Sequence, residues 1–205
     1  MSKLHLMDDK DLVRLYQQGN QEAISEIIDR YKQRIHSSIF FLVRNPELTE
    51  DLFQDTFIKI IQSLRKNHYN EQGKFLPWAL RIAHNLVIDY FRKQKLMPLQ
   101  HDSEEFSVFD IMASNSKNAS EQIIHDEKTN YVRALLDKLP FEQKEVVILR
   151  HYGGLSFKEI AQLLDININT ALGRMHYAIL KMRELVQKEG NVLRLVSFRG
   201  FGARG

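Results

Sequence analysis

Asn169, Thr170, Gly173, Arg174 and Tyr177 fall on the free side of a segment whose Ala171, Met175, Ala178 and Met182 recur at i, i+4, i+7 and i+11. An amide, a guanidinium and two hydroxyls along one side of an amphipathic helix are groups that hydrogen-bond base edges in a major groove. Lys181, a turn beyond Tyr177, is placed to neutralise phosphate. The preceding segment, Ser156 to Leu164, holds Ile160, Ala161, Leu163 and Leu164 at helical spacing, and a tight turn from Asp165 to Ile168 joins the two. Ala161 is small enough to let two helices cross closely. Asp165 stands where many such units carry glycine, and aspartate tolerates a left-handed backbone better than most residues. Helix, turn and helix in this order make a DNA-reading unit. A helical hairpin with a solvated polar face satisfies the same spacing.

A second set lies between Gly73 and Lys95, where Lys74, Arg81, Arg92, Lys93 and Lys95 meet a single acid, Asp89, and Phe75, Trp78, Tyr90 and Phe91 interleave. Basic charge among aromatics suits a surface that grips a phosphate backbone and stacks exposed bases. Trp78, Ile82, Leu86 and Phe91 read equally well as the buried face of a helix. The loop before it, Asn67, His68, Tyr69, Asn70, Glu71 and Gln72, carries side chains able to read a base edge, and reads also as a plain surface turn. In a third set, Asp51, Gln54, Asp55 and Ile58 fall at i, i+3, i+4 and i+7, beside an apolar stripe of Leu52, Phe53, Phe57, Ile60 and Leu64. An acidic face with one apolar member suits a basic protein partner better than DNA, and an ordinary solvated face is its plain alternative.

Enzyme chemistry has no matching pattern. The eight histidines are scattered without H-E-x-x-H or E-x-x-H spacing, and neither G-x-S-x-G nor G-x-x-x-x-G-K-[ST] occurs. His84 and His176 read as polar groups on helix surfaces rather than metal ligands, so no metal, cofactor or catalysis is expected. With no cysteine among 205 residues, disulfides and thiolate sites are excluded and a reducing compartment is the natural setting. The start is no signal peptide, and the longest apolar runs fall far short of the roughly 20 residues of a membrane span. A cytoplasmic protein without membrane insertion is expected.

The elements that must position these sets are all helical. Periodicity predicts a short helix from Asp8, then helices from about Asn20 to Val43, Pro46 to Arg65 and Phe75 to Leu96. Asn45 is suited to cap the third and Pro46 to open it, with Glu47, Glu50 and Asp51 near the positive end of its dipole. From Met97 to Glu127 seven acids face one lysine around a run of serine and asparagine, the composition of a linker. A second group follows, with helices from about His125 to Leu139, Pro140 to His151, Ser156 to Leu164 and Asn169 to Lys188. Ser156 and Glu159 have capping-box spacing, and Gly153 with Gly154 marks a break. The expected fold is therefore all-α: two small helical domains joined by an acidic flexible linker, the second containing the helix-turn-helix. The net charge of +3 matters less than its uneven placement.

These sets, in this order on either side of a linker, resemble the extracytoplasmic-function group of bacterial RNA polymerase sigma factors in the sigma-70 family. DLFQDTFIKII, Asp51 to Ile61, resembles the polymerase-binding helix of region two. FLPWALRIAHNLVIDYFRKQK, Phe75 to Lys95, resembles its promoter-melting and minus-ten-reading helix. Leu136 to Leu185 resembles the whole of region four. The resemblance covers roughly Asp8 to Leu96 and Ile123 to Gln187, and implies domains at 1–96 and 128–188, a linker at 97–127 and a tail of unassigned role at 189–205.

What the resemblance implies is a set of partners. Asp51, Gln54, Asp55 and Ile58 would dock on the clamp helices of the largest subunit of core RNA polymerase. Asn67, His68, Tyr69 and Asn70 would capture a flipped base, with Lys74, Arg81, Arg92 and Lys93 on the melted minus-ten strand. Asn169, Thr170, Gly173, Arg174, Tyr177 and Lys181 would lie on the minus-thirty-five element of promoter DNA. Members of the group are commonly held inactive by an anti-sigma protein, which no residue here identifies. Two rivals stand beside this reading: a helix-turn-helix regulator with an N-terminal sensor domain, and a helical adaptor that binds only protein.

Overall fold

Short polar side chains open several of the described helices. Asp8 accepts from the Asp11 N–H at 2.8 Å and opens α1 (Asp9–Gln17), after a 3-10 turn over Lys3–Leu6. Asn20 accepts from Glu22 and Ala23 to open α2 (Gln21–Val43). Asn45 accepts from Leu48 ahead of Pro46, the first residue of α3 (Pro46–Arg65). Each such cap is worth about 1 kcal/mol. In α4 (Phe75–Leu96), Pro77 sits in the first turn, where its missing N–H has no intrahelical partner to lose. The computed structural model describes residues 3–66, 68, 69, 74–96 and 131–188, so the acidic linker and the C-terminal tail lie outside the described residues.

The second group comprises α5 (residues 131–137), α6 (Phe141–His151), α7 (Phe157–Leu164) and α8 (Ile168–Lys188). Among the described residues there is no strand. Two helices end in a left-handed residue: α2 at Arg44, φ 58°, and α7 at Asp165, φ 55°. Pro140 stands one residue before α6 rather than inside it, and α8 begins at Ile168, one residue earlier than the spacing predicts.

In the first lobe α2 packs on α1, α3 and α4, and α3 packs on α4. Leu12, Ile27, Ile35, Ile39, Ile60, Leu64 and Leu80 are essentially inaccessible there. Each such side chain contributes about 1.5 to 3 kcal/mol on leaving water. Asp9 fastens α1 by accepting from Arg30 at 2.8 Å and from the Tyr31 hydroxyl. Burial together with the Asp9 carboxylate pushes that hydroxyl well above its ordinary pKa. In the second lobe α8 lies against α6 and α7 through Ala171, Met175, Ala178 and Met182, the stripe anticipated from spacing. The lobes also touch each other, α6 against α2 and α7 against α4.

Candidate functional site

On α3 the apolar stripe of Leu52, Phe57, Ile60 and Leu64 is buried with Thr49 and Thr56, which turns Asp51, Gln54, Asp55 and Ile58 outward. All four are exposed, and Ile58, an isoleucine, is 51% accessible. Neither Asp51 nor Asp55 forms an ion pair with another described residue. Glu50, on the shoulder of this face, pairs instead with His36 at 2.8 Å. Unneutralised carboxylates around an exposed apolar side chain form a surface complementary to a basic protein groove.

Lys74, just before α4, and Arg81, Arg92 and Lys93 on it are exposed, while Phe75 is 1% accessible. Phe75 is the centre of an aromatic cluster, stacked on Tyr31 at 5.5 Å and edge-on to Tyr69 and Trp78. For Phe75 the core role therefore prevails over base stacking. The Tyr69 ring, expected in a base pocket, lies 4.1 Å from Trp78 and is buried among the rings of this cluster. His68 beside it is exposed, whereas Asn67 and Asn70 lie outside the described residues. Arg92 pairs with Asp89 at 3.1 Å, and the Arg81 guanidinium donates to the Gln162 carbonyl on α7. Lys74, Trp78 and Arg81 line a cleft of 160 Å³ against Glu159 and Gln162.

The helix-turn-helix is built by α7 and α8. Ser156 Oγ accepts from the Glu159 N–H, and Glu159 accepts in return from the Ser156 N–H, so the capping box forms in both directions. Asp165 takes the left-handed conformation that the turn demands. Asn167, which the spacing argument passed over, accepts from the Asn169 N–H at 2.8 Å and starts α8. Asn169, Thr170 and Tyr177 are exposed, Tyr177 at 63%. A Cβ on Gly173 would meet no atom within 4 Å, so the helix surface there is open to a close-lying partner. Lys181 is tied to Glu184 at 3.2 Å. Lys188 and Lys181 together hold that carboxyl below its ordinary range.

Arg174 is only partly outward, since its guanidinium donates to Glu145 at 2.9 Å. Glu145 is buried, and its other oxygen lies 3.1 Å from His84 Nε2 on α4. His84 is thus not the surface group expected from its spacing. It is buried where two lobes meet, a contact that no local pattern encodes. Glu145 did leave a trace in the sequence, as a charge at i−3 and i−4 from Ile148 and Leu149 on the apolar face of α6.

The sequence profile of Sigma-70 region 2 matches residues 27–96, and that of Sigma-70, region 4 matches residues 129–182, together more than half of the chain. This chain is a sigma factor of the extracytoplasmic-function group. It is 27% identical over 184 residues to SigW of Bacillus subtilis, covering 88% of this chain and 95% of SigW. It is 29% identical over 171 residues to CarQ of Myxococcus xanthus, covering 83% and 93%. The structure of CnrH in complex with the cytosolic domain of CnrY has the same fold, with TM-score 0.64, 22% identity and coverage of 88% of this chain and 98% of CnrH.

As a sigma factor the protein is a non-enzymatic transcription initiation factor that binds core RNA polymerase and promoter DNA. Region two supplies α3 and α4, and region four supplies the helix-turn-helix, while α1 precedes both matched spans. The first-lobe match by a region-two profile removes the sensor-domain rival and the adaptor rival together. No described helix is long and apolar enough to cross a membrane.

Proposed function

We propose that this sigma factor directs promoter-specific initiation by a division of labour among its three surfaces. The acidic face of α3, with Asp51, Gln54, Asp55 and Ile58, docks on the clamp helices of the polymerase's largest subunit. The outward side of α8 reads the minus-thirty-five element through Asn169, Thr170, Arg174 and Tyr177, with Gly173 allowing close approach and Lys181 on phosphate. The basic side of α4, with Lys74, Arg81, Arg92 and Lys93, holds the melted minus-ten strand, and Asn67, His68 and Asn70 contact an extruded base. Tyr69 serves as a wall of that site. The reaction takes place in the cytoplasm, where the polymerase and its promoters are.

The observation that carries this reading is segregation. Asp51, Gln54, Asp55 and Ile58 on α3, Arg81, Arg92 and Lys93 on α4, and Asn169, Thr170 and Tyr177 on α8 are exposed, each set on a helix that buries another side in the core. A chain needing only solubility would intersperse its charges. The sigma factor RpoE of Bartonella quintana is solved in complex with the anti-sigma factor NepR, and an anti-sigma partner would regulate this chain.

Run-off transcription tests the whole reading. Core polymerase with this chain should initiate at discrete sites on a library of the host's promoter fragments, and core polymerase alone should not. Absence of any chain-dependent start site would contradict it.

A further inference from the structure

Most acids on the described surface are already engaged. Asp11 pairs with Arg14, Asp29 with Lys32, Asp89 with Arg92, and Glu184 with both Lys181 and Lys188. Glu22, Glu142 and Asp165 have no ion pair among the described residues, but they lie apart, on α2, on α6 and at the end of α7. Only on α3 do such acids gather. Glu47, Asp51 and Asp55 are exposed, follow one another at i, i+4 and i+8, and make no ion pair with another described residue. Like charges at this spacing destabilise a helix, so the row suits a face that is covered in use. Ile58, at i+3 from Asp55, stands 51% exposed beside it, with Ile61 half-buried a turn further on.

The chain carries a complement to this face. After Glu189 the stretch to Gly205 holds Arg194, Arg199 and Arg204 and no acid, with Leu193, Leu195, Phe198 and Phe201 among them. Three guanidiniums interleaved with apolar side chains match three carboxylates beside two isoleucines. Arginine meets a carboxylate through two parallel N–H donors and is more weakly hydrated than lysine, so such pairs survive beside apolar contacts. The acidic linker, by contrast, has the wrong sign for α3.

Reach is sufficient. Residues 189–205, at most about 3.5 Å each, extend on the order of 60 Å from the end of α8, and a compact body of this chain length is about 40 Å across. A tether of this kind presents its segment at an effective concentration on the order of millimolar. An intrinsic Kd on the order of 0.1 mM then keeps the face occupied about nine-tenths of the time.

We propose that residues 189–205 dock on the α3 face of Glu47, Asp51, Asp55 and Ile58 in the same molecule, and that core polymerase must displace them to bind there. The competition rests on the polymerase role proposed for α3; the docking does not.

With no native cysteine, Ala203→Cys takes a single spin label on the full chain. Broadening of amide signals should centre on residues 47–58 and should fade as salt rises, since exposed ion pairs are screened. Arg194→Glu, Arg199→Glu and Arg204→Glu made together should abolish it with helix content unchanged. The same variant should bind core polymerase about tenfold more tightly, because the face is freed. Broadening that is absent or centred elsewhere would overturn the docking, and weaker duplex binding by the variant would then assign the segment to DNA. Broadening passed to an unlabelled chain mixed with the labelled one would also overturn it, in favour of a contact between copies. Broadening on α3 with core affinity unmoved by the triple reversal would overturn the competition. Asp55→Arg separates that failure from failure of the α3 assignment, since lost core affinity in Asp55→Arg keeps the assignment and removes the competition alone.

Discussion

Arg174 on α8 and Glu145 on α6 form an ion pair at 2.9 Å in which the carboxylate is 7% exposed and the guanidinium 26%. The pair ties the proposed reading helix to the scaffold beneath it and gives Arg174 two duties. Arg174→Ala should cost about 1 to 3 kcal/mol of binding at one base position of the upstream element. It should also lower the melting temperature, because a buried carboxylate loses a partner. Arg174→Lys keeps the charge but not the planar fork, so it should restore stability more fully than base discrimination. Fragment binding with single-base substitutions, alongside thermal melts, separates the two duties; equal loss at every base would assign Arg174 to phosphate.

Lys181→Ala should behave differently. It should weaken all duplexes alike and reduce the slope of log affinity against log salt by about 1. A titration from low to moderate salt reads this, and an unchanged slope would remove Lys181 from the phosphate contacts.

For the loop before α4, Asn67, His68 and Asn70 replaced by Gly and Ser, with Tyr69 retained, should leave polymerase binding intact and abolish melting. Extruding a base costs a few kcal/mol, which those side chains are proposed to offset. A template already mismatched across the melted region should recover part of the loss. Permanganate reactivity of thymines on matched and mismatched templates reports it, and normal melting by the variant on the matched template would contradict the assignment.

The Asp9 contact predicts a stability effect away from every proposed interface. Asp9→Ala leaves Arg30 and the Tyr31 hydroxyl without their shared acceptor, and should cost about 1 to 3 kcal/mol. Urea unfolding would show it, and a midpoint equal to the parent's would mean α1 is held by its apolar contacts alone.

Local chemistry explains what the sequence revealed. Caps at Asn45 and Ser156, the turn at Asp165 and the buried stripe of α8 are all decided within a few residues, and all were legible. So was the exposed set on α3, because a helix that buries Leu52, Phe57, Ile60 and Leu64 must turn Asp55 and Ile58 away. The burial of Tyr69 and the place of His84 escaped the sequence for one physical reason. Each is buried by partners distant in sequence, Tyr69 by the ring cluster of α4 and His84 by Glu145 sixty-one positions on. A spacing rule sees one helix at a time and cannot register a neighbouring lobe.

The claim on which the rest depends is that α3 carries the chain to the polymerase. Asp55→Arg places like charge at a docked basic surface, which costs several kcal/mol, while a surface change clear of caps and core alters stability by about 0.5 kcal/mol or less. The decisive measurement is equilibrium binding of the dye-labelled full chain to core polymerase, parent against Asp55→Arg, with melting temperatures taken on the same samples. The account predicts affinity about 100-fold weaker, near 2.7 kcal/mol, at an unchanged melting temperature. Equal affinity for the two chains would contradict it.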